Sequence, residues 1–293
     1  MSNDCQLFRS TALFYRFFPV FVTPTQLILS ALIFVAPPAQ SSEDVSLVSQ
    51  GLNALEIQDF SAATAHFSEA FETGDADGAF YLGRMLELGV AGDPNRKAAI
   101  GLYKAGSEKG SAPAKNRLGV LHIQGNGVLQ DFIKGAQLVC DAASLGDVNG
   151  AYNCGLLIRE GRGVEKDETA AYAWLAKASE LGHTDATNEY ALGLIEGRFV
   201  EQNLTQAVEL LRKTSNGGSP AGLFALAQVH AAGLGVDQDV IQAHAYFNLA
   251  AALDHPLAAQ ARNVLQNQMT ASEVARAQER ARSWRPVKTK KTN

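Results

Sequence analysis

What the chain lacks narrows its function first. No segment of its 293 residues alternates apolar and polar side chains as a half-buried strand does, so no β-sheet is expected. It has no surplus of positive charge either: 25 Lys and Arg face 30 Asp and Glu, a net charge of −5, whereas a nucleic-acid binder should be basic. The six histidines, His66, His122, His183, His230, His244 and His255, share no metal-ligand spacing, and no metal or cofactor is assigned. His122 and His230 fall in one sequence column and are expected as packed neutral rings. Ser-x-x-Lys, Ser-Asp-Asn and Lys-Thr-Gly are missing, and nothing else sets a base beside a nucleophile, so no catalytic residue is assigned.

Cysteine is scarce, with three residues, of which Cys5 lies in an N-terminal stretch unlike the rest. There Arg9 and Arg16 precede the apolar run Leu27–Ala36, followed by Pro37-Pro38-Ala39 and polar Gln40-Ser41-Ser42. That is the layout of a secretory signal over residues 1–39, with an uncleaved membrane anchor as the alternative. Either exports the remainder of the chain to the periplasm or beyond. In an oxidising compartment Cys140 and Cys154 are candidates for pairing. Both lie seven residues from Asp147, on helical segments expected to pack antiparallel; a bridge needs Cα atoms within about 7 Å, and two free thiols are the alternative.

What is present is repetition. Gly161 recurs at Gly89, Gly125, Gly197 and Gly233 in steps of 36 residues. Six places earlier stands a small residue (Gly83, Gly119, Gly155, Ala191, Ala227), and a closing glycine recurs at Gly110, Gly146, Gly182 and Gly218, with Asp254 in the last copy. Each copy reads as two helical patterns around a glycine turn, a unit that cannot bury its apolar face alone. The second helix of the central copy has one stripe, Ala171, Trp174, Leu175 and Ala178, facing the stack. The turn glycine is expected to end the first helix at positive φ, with a buried valine (Val128, Val164, Val236) pinning the loop; Asp131, Asp167, Asn203 and Asp239 are expected to cap the second helix. The turns with Phe199 for the second glycine and with Val90-Ala91-Gly92 should differ locally. Because a helix, not a strand, precedes each Gly-x-Gly, these are not phosphate loops.

The expected organisation is a linker over 40–46, a degenerate opening repeat over 47–74, five repeats over 75–262, a capping helix over 263–285 with Thr270 and Glu273 at capping-box spacing, and a disordered basic tail over 286–293. Trp284 is placed to fold back on the last repeat.

The pattern A-Y-x-x-G-x-L-I-x-x-G-x-G-V-x-x-D from Ala151, continued by A-x-x-W-L-x-x-A-x-x-x-G, resembles the Sel-1-like repeat, a relative of the tetratricopeptide repeat. The resemblance implies an all-α fold: an α/α superhelical solenoid of antiparallel helix pairs whose first helices line a concave face. It implies groove positions twelve, nine, five and two residues before the turn glycine. Of these, Asn116, Val120, Ile123, Tyr152, Leu156, Arg159, Asn188 and Leu192 are the candidate partner-binding residues, with Tyr152, Leu156, Arg159 and Asn116 as anchors; packing between repeats is the competing role for them. The expected function is a non-catalytic adaptor of the bacterial cell envelope that binds a protein or peptide partner. The alternatives are a hydrolase of cell-wall or β-lactam material and a glycan-binding subunit of a polysaccharide export system.

Overall fold

The computed structural model describes residues 45–287. The expected leader, residues 1–39, lies outside them, as do most of the linker and Lys288–Asn293. The fold is an all-α solenoid with fourteen helices among the described residues. They are α1 Leu47–Glu56, α2 Phe60–Glu72, α3 Asp77–Leu88, α4 Arg96–Glu108, α5 Ala112–Gln124, α6 Phe132–Ser144, α7 Val148–Glu160 and α8 Glu168–Glu180. Beyond these lie α9 Thr184–Glu196, α10 Leu204–Asn216, α11 Pro220–Ala232, α12 Val240–Ala252, α13 Ala258–Gln266 and α14 Ala271–Ser283. The chain divides into two compact bodies at Ala186/Thr187, within α9.

In the body ending at Ala186, α1/α2, α3/α4, α5/α6 and α7/α8 are helical hairpins, and each second helix from α2 to α6 also packs on the first helix of the next hairpin. The degenerate opening repeat is thus a complete hairpin, with Phe67 buried at its centre. Glycine sets how closely the helices cross: a Cβ on Gly119 of α5 would lie 2.8 Å from the carbonyl oxygen of Gly135 on α6. Ile123 packs over Gly135 in the space this leaves. In the body from Thr187, α12 packs on α11, α13 and α14, and Trp284 closes over a core containing Leu223, Phe224, Phe247 and Leu265.

Each turn is built from the same parts. The turn glycines Gly89, Gly125, Gly161 and Gly197 have φ 66° and Gly233 70°. Behind them Val90, Asn126, Arg162 and Leu234 donate N–H bonds to carbonyls one turn back, for example Arg162 to Leu157 at 3.0 Å, which satisfies carbonyls the helix end leaves open. The chain then crosses to a capping residue. Asp59, Asn95, Asp131, Asp167, Asn203 and Asp239, all spaced by 36, each accept an N–H bond three residues on at 2.9–3.0 Å. The capping box of Thr270 and Glu273 opens α14.

Four expectations need correction. The valine after the second glycine is not buried: Val164 is exposed, and Val128 and Val236 are half-covered at the edge of the core. The loop is held instead by polar bonds. Gln130, Gln202 and Gln238 donate Nε2–H bonds to the carbonyls of Ile123, Ile195 and Ala231 at 3.1, 2.8 and 2.8 Å. Trp174 is half-exposed under the Lys177 ammonium, 5.0 Å from its ring, while Ala171, Leu175 and Ala178 are buried. The C-terminal cap is a pair of helices, because α13 runs through the expected boundary at 262/263. Pro286 and Val287 are ordered against the body, since the Val287 N–H donates to the Asn216 carbonyl at 2.8 Å.

The second glycine of a loop does more than turn the chain. A Cβ on Gly163 would collide with the carbonyl oxygen of Phe132 at the start of α6, whereas one on Gly146, also at positive φ, meets nothing within 4 Å. Gly163→Ala should therefore lower the free energy of unfolding by about 3 kcal/mol, collision added to backbone strain. Gly146→Ala should lower it by only about 1 kcal/mol. Urea titration followed by circular dichroism measures both, and equal losses would mean that the contact between loop and helix is not felt.

Candidate functional site

The first helices α3, α5, α7, α9 and α11 present the face on which partner binding is expected. The residue nine before each turn glycine does not point outward as expected but toward the cap of the next first helix. Asn116 hydrogen-bonds Asp147. Tyr152 stacks on His183 with centroids 4.2 Å apart. In the second body Asn188 donates to Ser219 Oγ at 3.0 Å, and Phe224 stacks on His255 at 4.1 Å. Three of those partners cap the next helix: Asp147 accepts from the Gly150 N–H at 2.5 Å, His183 Nδ1 from Ala186 at 3.2 Å, and Ser219 Oγ from Gly222 at 3.1 Å. As an acceptor at Nδ1, His183 carries its proton on Nε2.

Burial corrects the expected groove accordingly. Asn116, Val120, Ile123 and Leu156 are buried in the first body and Asn188 in the second; Tyr152, Arg159 and Leu192 are half-buried. Asn116 also accepts from Asn153 Nδ2 at 3.1 Å. The exposed rows in the first body lie elsewhere on the helix: Asn149 and Asp185 twelve before the glycine, Asn153 eight before, Glu160 one before. A shift of one residue turns a helix face by about 100°, enough to exchange an outward row for a packed one.

Charge on this face is organised in two groups. Glu87 receives Arg84 Nη1 at 2.8 Å, Arg117 Nε at 3.0 Å with a further bond from Arg117 Nη2, and the Tyr103 hydroxyl at 2.8 Å. Burial alone would raise its carboxyl; Arg117 chiefly, with Tyr103 and Arg84, outweighs that and holds it below the usual range. The second group is acidic. Burial raises Asp77, against the bond it accepts from Ser111 Oγ at 2.7 Å. Burial also pushes Asp147 up to about 6, the Asp77 carboxylate adding to it and the Gly150 N–H and Asn116 opposing. Tyr81 is pushed up to about 12 by burial and then by Asp77, Asp147 and Asp75.

Cys140 of α6 and Cys154 of α7 form a disulfide with Cα atoms 5.0 Å apart, joining one repeat to the next. Of the expected neutral histidines, His122 is buried with Nδ1 3.1 Å from the Leu129 carbonyl oxygen, and burial holds His230 below its usual value. No group of three or more metal-ligating side chains occurs among the described residues, and no helix among them is long and apolar enough to cross a membrane.

The family model for the Sel1 repeat matches residues 76–111, 112–147, 148–183, 185–219 and 220–255. Among solved structures the chain is similar to a protective antigen present in uropathogenic Escherichia coli strains that displays an SLR fold, with 27% identity and a TM-score of 0.70 over 80% of this chain and 51% of that one. It is also similar to a Sel1 repeat protein from Oxalobacter formigenes, with 21% identity and a TM-score of 0.60 over 71% of this chain and 85% of that one. The chain therefore spans about half the length of the antigen. None of the curated proteins matches it.

The buried groups give two measurable outcomes. A carboxyl raised to about 6 from an unfolded value of about 3.9 contributes stability that is complete below the unfolded value and lost as pH rises through the folded one. Asp147→Asn keeps a capping side chain and removes the charge. It should be more stable than the parent by about 1–2 kcal/mol near pH 7.5 and equal to it near pH 4. His230, His244 and His255, lowered by burial, work the other way, their stability being lost on acidification. The readout is thus the difference between variant and parent in thermal melts, and an Asn variant weaker at pH 7.5 would refute the assignment. For the disulfide, non-reducing peptide mapping should recover Cys140 joined to Cys154, and reduction should cost about 3 kcal/mol in urea titration, as closure of a short loop does.

Proposed function

Because the chain belongs to the Sel1 repeat family, whose members are generally protein-interaction scaffolds, we propose that it is a non-catalytic adaptor of the bacterial cell envelope holding a protein partner on its first helices. The observation that carries this is the outer row of α7 and α9, where Asn149, Asn153, Glu160 and Asp185 stand partly or fully exposed on helices whose inner rows are locked together. Locking the frame lowers the entropy lost when the outer row is engaged. The row is polar, so recognition rests on hydrogen bonds and charge, with the half-buried Tyr152 and Arg159 at its margin.

Support for the envelope comes from the signal-like layout of residues 1–39 and from the Cys140–Cys154 disulfide, which suits an oxidising compartment. The antigenic relative from E. coli points the same way.

The test is affinity capture from the envelope fraction with the full chain as bait. A stoichiometric protein should be retained by the parent and lost from Asn149→Lys/Asp185→Lys, which changes two exposed side chains and should leave the melting temperature within about 2 °C. Tyr152→Ala is the poorer probe because it also removes the stack on His183. Retention of the same protein by the double variant would move the binding face elsewhere.

A further inference from the structure

The repeats carry their own control for surface chemistry, since equivalent positions can be compared within one chain. In four of the five repeats the residue two before the cap of the second helix is acidic: Asp93, Glu165, Glu201 and Asp237. In the second repeat it is Leu129, 89% exposed. Four residues on, the sequence reads Lys97, Thr169, Thr205 and, in the last repeat, a buried Ile241, but the second repeat has Ile133, 73% exposed. Phe132 and Val164 complete the patch at 39% and 37%. They adjoin because the third loop lies on the start of α6, with Gly163 against the Phe132 carbonyl and the Ile133 N–H, and the Arg162 guanidinium sits 4.8 Å over the Phe132 ring. Neither the glycine turn nor the capping of α6 needs Leu129 or Ile133 to be apolar.

The flanks have opposite character. On one side the second loop lies on the start of α4, where Gly127 adjoins Arg96 and exposed Lys97 comes next. On the other, the third loop presents exposed Glu165, and Lys166 is paired with Glu168 at 3.1 Å. The order along the edge is therefore cation, apolar centre, anion. A surface with that order is complementary to itself when turned through a two-fold axis at its centre, because the cation of each copy then meets the anion of the other. An anionic membrane would instead be repelled by Glu165 and Asp93 on the neighbouring loops.

We propose that the exposed loop and helix start of the second repeat form a two-fold docking surface for a second copy of this chain, with Leu129 and Ile133 at the centre and Lys97 of each copy opposite Glu165 of the other. Four apolar side chains are well short of the roughly 1,200 Å² of a standard stable interface, so the dimer is weak, with Kd on the order of 10–100 µM. A weak site of this kind doubles up when the chain is concentrated on a common partner or surface.

Equilibrium sedimentation of the full chain from about 1 to about 300 µM tests this around the expected Kd. The parent should pass from monomer to dimer. Leu129→Glu/Ile133→Thr, which installs the residues of the third repeat, should weaken the dimer at least tenfold while melting like the parent, since both side chains are exposed. Lys97→Glu and Glu165→Lys should each weaken it severalfold at low salt, and the two combined in one chain should restore it. A parent that stays monomeric throughout overturns the proposal. So does association that Leu129→Glu/Ile133→Thr leaves unchanged, which would place contact elsewhere, and so do charge reversals whose losses add instead of cancelling.

Discussion

The backbone at one residue in every 36 must enter the left-handed region, and much else in the architecture depends on that. At the five turn glycines φ lies between 66° and 70°, which ends each first helix at a fixed point. Six residues later a side-chain acceptor starts the second helix. With both ends fixed, the loop has one length, and the small residues six before the glycine arrive at the helix crossing in every copy. An insertion in the loop would carry Gly119 away from Gly135 and leave the capping acid without its N–H, so the strict period in the sequence has a direct mechanical cause.

Between successive first helices the contact is chemically varied but positionally constant. The residue nine before the glycine meets the cap 31 residues on. Where the first is Asn the second is Asp or Ser and a hydrogen bond forms; where it is Tyr or Phe the second is His and the rings stack. Each exchange conserves the contact and changes the partners together. A raised carboxyl at Asp147 is the by-product of the first solution, because the amide and the N–H it engages only partly offset its burial.

Much of this was legible in the residues. The glycine and capping columns announce themselves by spacing, and Asp254, standing where the other copies have glycine, does adopt φ 60°. The binding face was less legible because it turns on helix phase: rows nine and twelve before the glycine look alike in an apolar-polar reading, yet one is packed and the other exposed. Gln130, Gln202 and Gln238 recur at the same period, but a polar residue beside a turn reads as solvent-facing, so the pattern alone does not reveal their bonds to the helix end. The valines mislead for the opposite reason, since an apolar side chain near a turn invites burial that the loop geometry does not provide.

The Cys140–Cys154 bond crosses from one repeat to the next and encloses the α6–α7 turn in a short covalent ring. In an array held together by neighbour contacts, unravelling from an end proceeds unit by unit. A covalent tie between neighbours gives such a wave a place to stop. It also changes what a cut means. A peptide bond hydrolysed between Asp141 and Asn153 would leave two fragments still joined, so damage at that turn would nick the molecule without dividing it.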